Sequence, residues 1–384
     1  MNISRKTKIL HYGSPPVAYG FPSFYKFIEL ARLGDESLRN VLKFYPRSIF
    51  DVENFTWTKR LYYTISVKQI YLVDFMNLTL TLIKKAMNKD IIVALGFPTL
   101  WEFVLLMFIA KLRKIPIFVR DTHWYWPQTR LSKILWPIYF KLLKRVDGIL
   151  CPGLASYKYW KSFGFSNVYV VHYYALEAFM MECACCEELR RKLGVKDDEI
   201  IVLYLGRLIR KKGVENIILS FHKLISDNPR YRVKLLIAGE GPERRNLEKL
   251  CNQLGISSSV LFVGPVPEKQ KKCLYKLANI FVYVPVIEEI PEEWPIAPLE
   301  AMSLGIPTII STAVGSLPDI RNGALVVKWG DVEGLYKAMK MLIEDEALRK
   351  KLSKKAMELC CKFISETNIK LEFLKAFHYA IKKR

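Results

Sequence analysis

The sequence predicts an α/β protein made of two doubly wound, Rossmann-like domains facing a central cleft. Three observations carry that expectation. Short apolar runs alternate with helical patterns, as in a parallel sheet with helices on both faces. The alternation pauses near residues 175–187, a stretch of small, acidic and Cys residues, and then starts afresh. The length, 384 residues, suits two domains of ordinary size.

The elements follow in order. In the first unit, residues 1–175, strands are expected at 8–12, 90–95, 115–120, 148–151 and 168–172. Helical patterns lie at 99–112, 131–145 and 154–163. Segment 40–78 reads as an extra hairpin or an irregular insertion. In the second unit, residues 176–364, strands are expected at 200–205, 233–238, 260–263, 280–284, 308–311 and 324–327. After the first of these, Val214, Ile217, Ile218, Phe221, Leu224 and Ile225 form one apolar stripe at helical spacing. Further helices are expected at 243–254, 298–304, 332–344 and 348–363, and the basic tail 366–384 is helical.

Composition excludes several classes. Half the residues are hydrophobic (51%) and a quarter charged (25%), which fits a globular chain. The most apolar stretch, 103–110, is closed by Glu102 and Lys111 and reads as a buried helix rather than a membrane span. The start is polar, and its apolar run breaks at Gly13 and Pro15, so no cleaved leader is expected and the chain should be cytoplasmic. Eight cysteines (Cys151, Cys183, Cys185, Cys186, Cys251, Cys273, Cys360, Cys361) show no zinc-type pairing. They are expected to be reduced or buried without a metal, a structural disulfide being left open.

Charge is less neutral. Lys and Arg number 59 against 37 Asp and Glu, a net charge of +22. Residues 1–180 hold 25 basic and 11 acidic residues, so the front half is the more basic. Such a surface attracts nucleic acid, anionic lipid or phosphorylated ligands. Solubility and ion pairing on a heat-adapted surface is the other reading.

Two clusters can do chemistry. Gly206-Arg207-Leu208 with Lys211-Lys212-Gly213 sits between a strand and a helix, where fixed cations beside a helix N-terminus suit a diphosphate. A solvated basic loop is the alternative. The second cluster runs from Glu292 to Pro307. Pro298 suits a first helical position and Gly305 the left-handed residue past the end. The first turn, at Pro298 and Leu299, offers backbone N–H groups to an anion. Glu292 and Glu300 at that mouth can accept hydrogen bonds from sugar or ribose hydroxyls. Equally, Glu300 can serve the helix dipole, and Glu292 can be one acid of a surface loop with Glu288, Glu289 and Glu293. Neither half has a G-x-G-x-x-G turn after its first strand, which disfavours a dinucleotide oxidoreductase.

The ordered set of motifs resembles the retaining, nucleotide-sugar-dependent glycosyltransferases of group 1, which have the GT-B architecture. Gly206-Arg207-Leu208 with Lys212-Gly213 matches one element of that family. Ile237-Ala238-Gly239-Glu240-Gly241-Pro242 matches a second, and Val263-Gly264-Pro265-Val266 a third. The Glu292–Glu300 pair, followed by Gly305-Ile306-Pro307 and Gly315, completes the set.

The resemblance implies roles. Arg207 and Lys212 would clamp the diphosphate, helped by Gly239, Gly241 and the backbone near Pro298 and Leu299. Glu292 would hold donor-sugar hydroxyls, Glu300 the ribose, and Val266 the base through its main chain. His123, after the strand at 115–120, would face the donor sugar, or else be a hydrogen-bonded strand-end His. Gly13 is a candidate for close approach to the acceptor. The final helix, 365–384, would pack back on the first domain. No metal or other cofactor is expected, the two cations standing in its place.

The expected function is transfer of a sugar from a nucleoside diphosphate donor to an acceptor hydroxyl, with retention. A lipid-linked or polysaccharide acceptor and an anionic membrane surface are candidate partners, because 130–145 is basic and amphipathic. That reading would place the chain peripherally on the inner face of the cell membrane. Two alternatives are a sugar-nucleotide epimerase on the same scaffold and a non-catalytic polyanion binder. No nucleic-acid motif is apparent, so no specific nucleic acid is expected.

Overall fold

A computed structural model of the chain describes residues 9–13, 83, 91–95, 100–124, 130–172, 186–287, 291–364 and 366–382. The segment expected to be a hairpin or insertion, 40–78, lies outside the described residues. The first sheet is parallel, in the order β1 (Ile9–Gly13), β2 (Ile91–Leu95), β3 (Ile117–Arg120), β4 (Gly148–Cys151), β5 (Val168–Val170). Strand side chains alternate between faces. Ile92, Ala94, Val119 and Ile149 meet α1 (Leu100–Arg113), α2 (Arg130–Leu143) and α3 (Leu154–Ser162) in one core. Ile91, Val93, Phe118 and Leu150 point to the opposite face.

The second sheet holds β6 (Ile200–Leu205), β7 (Val233–Ala238), β8 (Val260–Gly264), β9 (Ile280–Tyr283), β10 (Thr308–Ser311) and β11 (Ala324–Val327). Its order is β11-β10-β9-β6-β7-β8, all parallel, so the strand order reverses between β6 and β9. Around it lie α4 (Cys186–Lys192), α5 (Val214–Asp227), α6 (Arg244–Gln253), α7 (Glu268–Leu277), α8 (Ala297–Ser303), α9 (Leu317–Ile320) and α10 (Val332–Glu344). Two helices close the chain, α11 (Glu346–Ile364) and α12 (Glu366–Lys382). Ala356 and Cys360 of α11 pack with Leu299 and Met302, and α12 returns to the first sheet, where the rings of Phe377 and Phe118 lie 5.0 Å apart.

The strand order that reverses in the second sheet between β6 and β9 agrees with double winding, and the described strands of the first sheet are parallel. Two expectations change. Helix α7 was not anticipated, because four lysines hide its short buried side of Cys273, Leu274 and Leu277. The run 103–110 is a helix, but only its inner side is buried. Phe103, Leu106, Ile109 and Ala110 enter the core, while Val104 and Phe108 are exposed. No helix among the described residues is long and apolar enough to cross a membrane. The described cysteines Cys151, Cys251, Cys273 and Cys360 are buried thiols, and half-buried Cys186 of α4 has its Sγ 2.6 Å from that of Cys273.

The two domains meet through specific contacts. Leu154 N, at the start of α3, donates to both carboxylate oxygens of Asp319, each at 3.1 Å. The second domain thereby caps a helix of the first. Trp294 lies so close to Gly153 that a Cβ there would come within 2.1 Å of the indole. Burial outweighs the Leu154 N–H and the nearby His172 and pushes the Asp319 carboxyl up to about 6. Stability from this group is therefore full below its ordinary value of 3.8 and lost as pH rises through about 6. Asp319→Asn should flatten the melting temperature against pH across that interval, as read by calorimetry.

Candidate active site

In doubly wound sheets ligands bind beyond the carboxyl ends of the strands where the order reverses. Here that place lies between the ends of β6 and β9. After β6, Gly206 N donates to Ala238 O and Leu208 N to Glu240 O, so the loops following β6 and β7 lie against each other. Gly239 (φ +132°) permits this, since a Cβ there would come within 1.9 Å of Gly206 O. At Gly241 a Cβ would meet Leu208 O at 2.2 Å. Both glycines thus set the path of the loop that carries exposed Arg207.

A single 3-10 turn, Arg210–Lys212, then ends at left-handed Gly213 and turns Lys212 inward, leaving it 7% exposed. Its Nζ donates to Glu292 Oε1 at 2.8 Å and to Tyr283 Oη at 2.7 Å. Lys211 Nζ stands 3.6 Å from Glu292 Oε2 and donates to Pro291 O. Burial presses the Lys212 ammonium below its ordinary value, against the pull of Glu292. Burial alone would raise the Glu292 carboxyl, but Lys212 and Lys211 hold it below the usual carboxylate range. Glu292 is therefore a charged, half-buried anion fixed between two lysines rather than one acid of a solvated loop. Its backbone is tied as well. Its N donates to Ala313 O, and its carbonyl accepts from Gly315 N at 2.8 Å and from the Trp124 indole at 3.1 Å.

The first domain contributes the end of β3. Asp121, 1% exposed, accepts from Trp160 Nε1 at 2.7 Å and from His123 N at 3.0 Å. Its other oxygen lies 2.6 Å from His123 Nδ1. His123 Nε2 lies 3.6 Å from Glu293 Oε1, and Thr122 donates to the same carboxylate. Burial would lower the His123 imidazole, but the charge and hydrogen bond of Asp121, with the charge of Glu293, raise it to about 9. At neutral pH it is an imidazolium, as in a group that can donate to an oxygen from either ring nitrogen.

Glu300 forms a separate cluster. It is 5% exposed in α8, with Oε1 accepting from Lys271 Nζ at 2.6 Å and Oε2 from Tyr275 Oη at 2.9 Å. Pro298 and Leu299 are buried beside it, and the Glu300 N–H already donates to Ile296 O. Val266, past β8, packs half-buried on the second core. Gly13 ends β1 opposite Leu95. The loop after it lies outside the described residues, so its acceptor contacts do too. Asp121, Lys271, Tyr275 and Tyr283 were not singled out from sequence, and Lys211 and Glu293 were named only as members of a basic loop and an acidic loop. The Asp121-Thr122-His123 spacing alone could have marked Asp121. The others are recognisable only by their partners.

Residues 186–359 match the family described as glycosyl transferases group 1. That stretch, which holds the second sheet, is similar to a group 1 glycosyl transferase domain. An uncharacterised glycosyltransferase of Methanocaldococcus jannaschii is 42% identical over 131 residues, covering 34% of this chain and 32% of that protein. The N-acetyl-alpha-D-glucosaminyl L-malate synthase of Bacillus anthracis is 29% identical over 174 residues, 44% of this chain and 43% of that one. The chain thus spans less than half the length of these relatives. A crystal structure of an Anabaena protein, HepE, in complex with UDP superposes with a TM-score of 0.73 at 16% identity, covering 97% of this chain and 100% of that one. At that identity the likeness speaks for the fold, and the fold is GT-B, as the sequence implied. The motifs from Gly206 to Gly315 all fall within the matched transferase domain.

Removing the Asp121 charge leaves burial largely unopposed at His123. Asp121→Asn should bring the His123 pKa from about 9 to its ordinary 6.5 or below, read by NMR titration of the ring protons. In the wild type, stability from His123 is full below 6.5 and is lost as pH rises through about 9. The variant should lack that alkaline decline.

Proposed function

We propose that this protein transfers a sugar from a nucleoside diphosphate donor to an acceptor hydroxyl, with retention at the anomeric carbon. The observation that carries the reading is the meeting of Lys212 and Glu292 from the transferase domain with His123 from the first domain, across adjacent Glu292 and Glu293. The family match and the UDP held by the Anabaena structure support a nucleotide-sugar donor.

In the proposed reaction the bond from the anomeric carbon to the diphosphate oxygen breaks and a bond to the acceptor oxygen forms. The acceptor proton leaves to the departing diphosphate. Negative charge grows on the diphosphate, and Arg207 and Lys212 are the cations placed to stabilise it. Glu292 and the His123 imidazolium orient the sugar hydroxyls. With these cations supplied by the chain, the reaction is proposed to need no divalent metal. The acceptor is proposed to be a lipid-linked or polysaccharide hydroxyl, reached from the cytoplasm.

The test is a panel of UDP-, GDP- and ADP-sugars, read by thermal shift and nucleotide release, with and without EDTA. One donor should stabilise the fold and slowly release nucleotide, with no effect of EDTA. Lys212→Ala should then lower turnover by roughly 10²–10³ while the chain stays folded, as for loss of a donor to a developing anion. Near-wild-type turnover in that variant would remove the role of Lys212. Recovery of an epimerised sugar nucleotide in place of a transfer product would overturn the transferase reading.

A further inference from the structure

Helices α1, α2 and α3 lie side by side. Strands β2 to β5 are neighbours in chain order, so their right-handed crossovers place all three helices on one face of the sheet. Their packing agrees: the rings of Phe103 and Tyr139 join α1 to α2 at 6.3 Å. The outward faces of α1 and α2 therefore form one continuous surface.

That surface is unusual in two ways. Val104, Phe108 and Leu112 follow one another at four-residue steps on α1, on the side away from the core, and are 48%, 63% and 63% exposed. Ile138 of α2 adds a fourth exposed apolar side chain at 44%. The stripe on α1 runs about 12 Å, at 1.5 Å per residue. Around it stand exposed Lys111, Arg113, Lys114, Lys141, Lys144 and Arg145. Residues 103–146 hold nine Lys and Arg against one acid, Asp121, which is buried in the cleft.

We propose that the outer face of α1 and α2 docks on an anionic lipid bilayer. Charge complementarity selects that occupant. An apolar stripe ringed by cations fits a surface with phosphate headgroups above acyl chains. Because α1 lies along the strands, the first domain rests on its side, with the cleft at one end beside the bilayer. The purpose of the docking rests on the transferase reading, since it would bring the cleft to a membrane-held acceptor. The docking itself does not depend on it.

The experiment is flotation of the full chain with phosphatidylcholine vesicles, with and without about a third phosphatidylglycerol. Binding is expected on the anionic vesicles, weakened by salt, and weak on the neutral ones. Phe108→Ser with Leu112→Ser should lower partitioning tenfold or more. Gln at Lys111, Lys144 and Arg145 should lower it about fivefold per cation. Both variants should keep the wild-type melting temperature and any donor-induced thermal shift. Absence of binding to anionic vesicles overturns the proposal. So does unchanged binding of the Phe108/Leu112 variant, which would mean electrostatic adsorption alone. A concentration-dependent dimer abolished by the same two substitutions, without vesicle binding, would assign the face to a second copy of the chain and also overturn it. Vesicle binding without response to any donor would leave the docking standing and remove the transferase reading.

Discussion

The pairing of Lys212 with Glu292 organises the cleft. Taking two charges out of water costs several kcal/mol each, and mutual attraction seldom returns more than that. Stability alone therefore gives little reason to keep such a pair. What the pair does is fix position. Lys212 reaches Glu292 because the 3-10 turn and Gly213 direct it inward, and Tyr283 Oη accepts a second hydrogen bond from its ammonium. Glu292 cannot retreat, because Ala313, Gly315 and Trp124 hold its backbone. The segment after Pro291 is thus held by the second domain at its side chain and by both domains at its main chain.

Opposite charges pair across this seam. Asp121 is faced by the His123 imidazolium, then by Glu293, with Glu292 next in the chain and Lys212 beyond it. His123 stands between Asp121 and Glu293, and Glu292 between Lys211 and Lys212. An anion arriving at Lys212 competes with Glu292 for the same ammonium. Binding there is an exchange of partners rather than the filling of a bare positive hole. The Glu300 cluster works in the same way, with Lys271 and Tyr275 occupying both oxygens. Any hydroxyl that approaches Glu300 must share or displace them.

Much of the fold was legible because burial writes a period into the sequence. The stripe from Val214 to Leu224 is the buried side of α5, and strands β6, β7, β10 and β11 fall at the expected residues. Lys212 and Glu292 stood out in the sequence because the motifs around them resemble those of the family, and the structure pairs the two side chains. The partners were not. Lys271 and Tyr275 sit on a helix whose polar majority masks it, and Glu293 differs from Glu292 only in which neighbour it meets. Pairing between distant elements leaves no local period. The run 103–110 shows the converse error. Its hydrophobicity announced a helix, but it could not say that only one side of that helix finds a core.

That asymmetry has a physical cause in the first domain. The sheet needs two covers. On one face α12 supplies Phe373 and Phe377 from the far end of the chain. On the other, α1 needs only Phe103, Leu106, Ile109 and Ala110 to fill its share of the core. Folding therefore makes no demand for Val104, Phe108 or Leu112, and a polar residue at each would serve the core equally well. Exposed apolar stripes on a soluble face invite association. The cations beside them restrain self-association by repulsion between like-charged copies. The same cations leave the stripe open to a surface of opposite charge. Neither signal is strong alone, since apolar insertion of a few side chains is marginal and surface attraction is screened by salt. In the proposed docking the two act together on adjacent helices, as a contact whose parts can be separated by ionic strength.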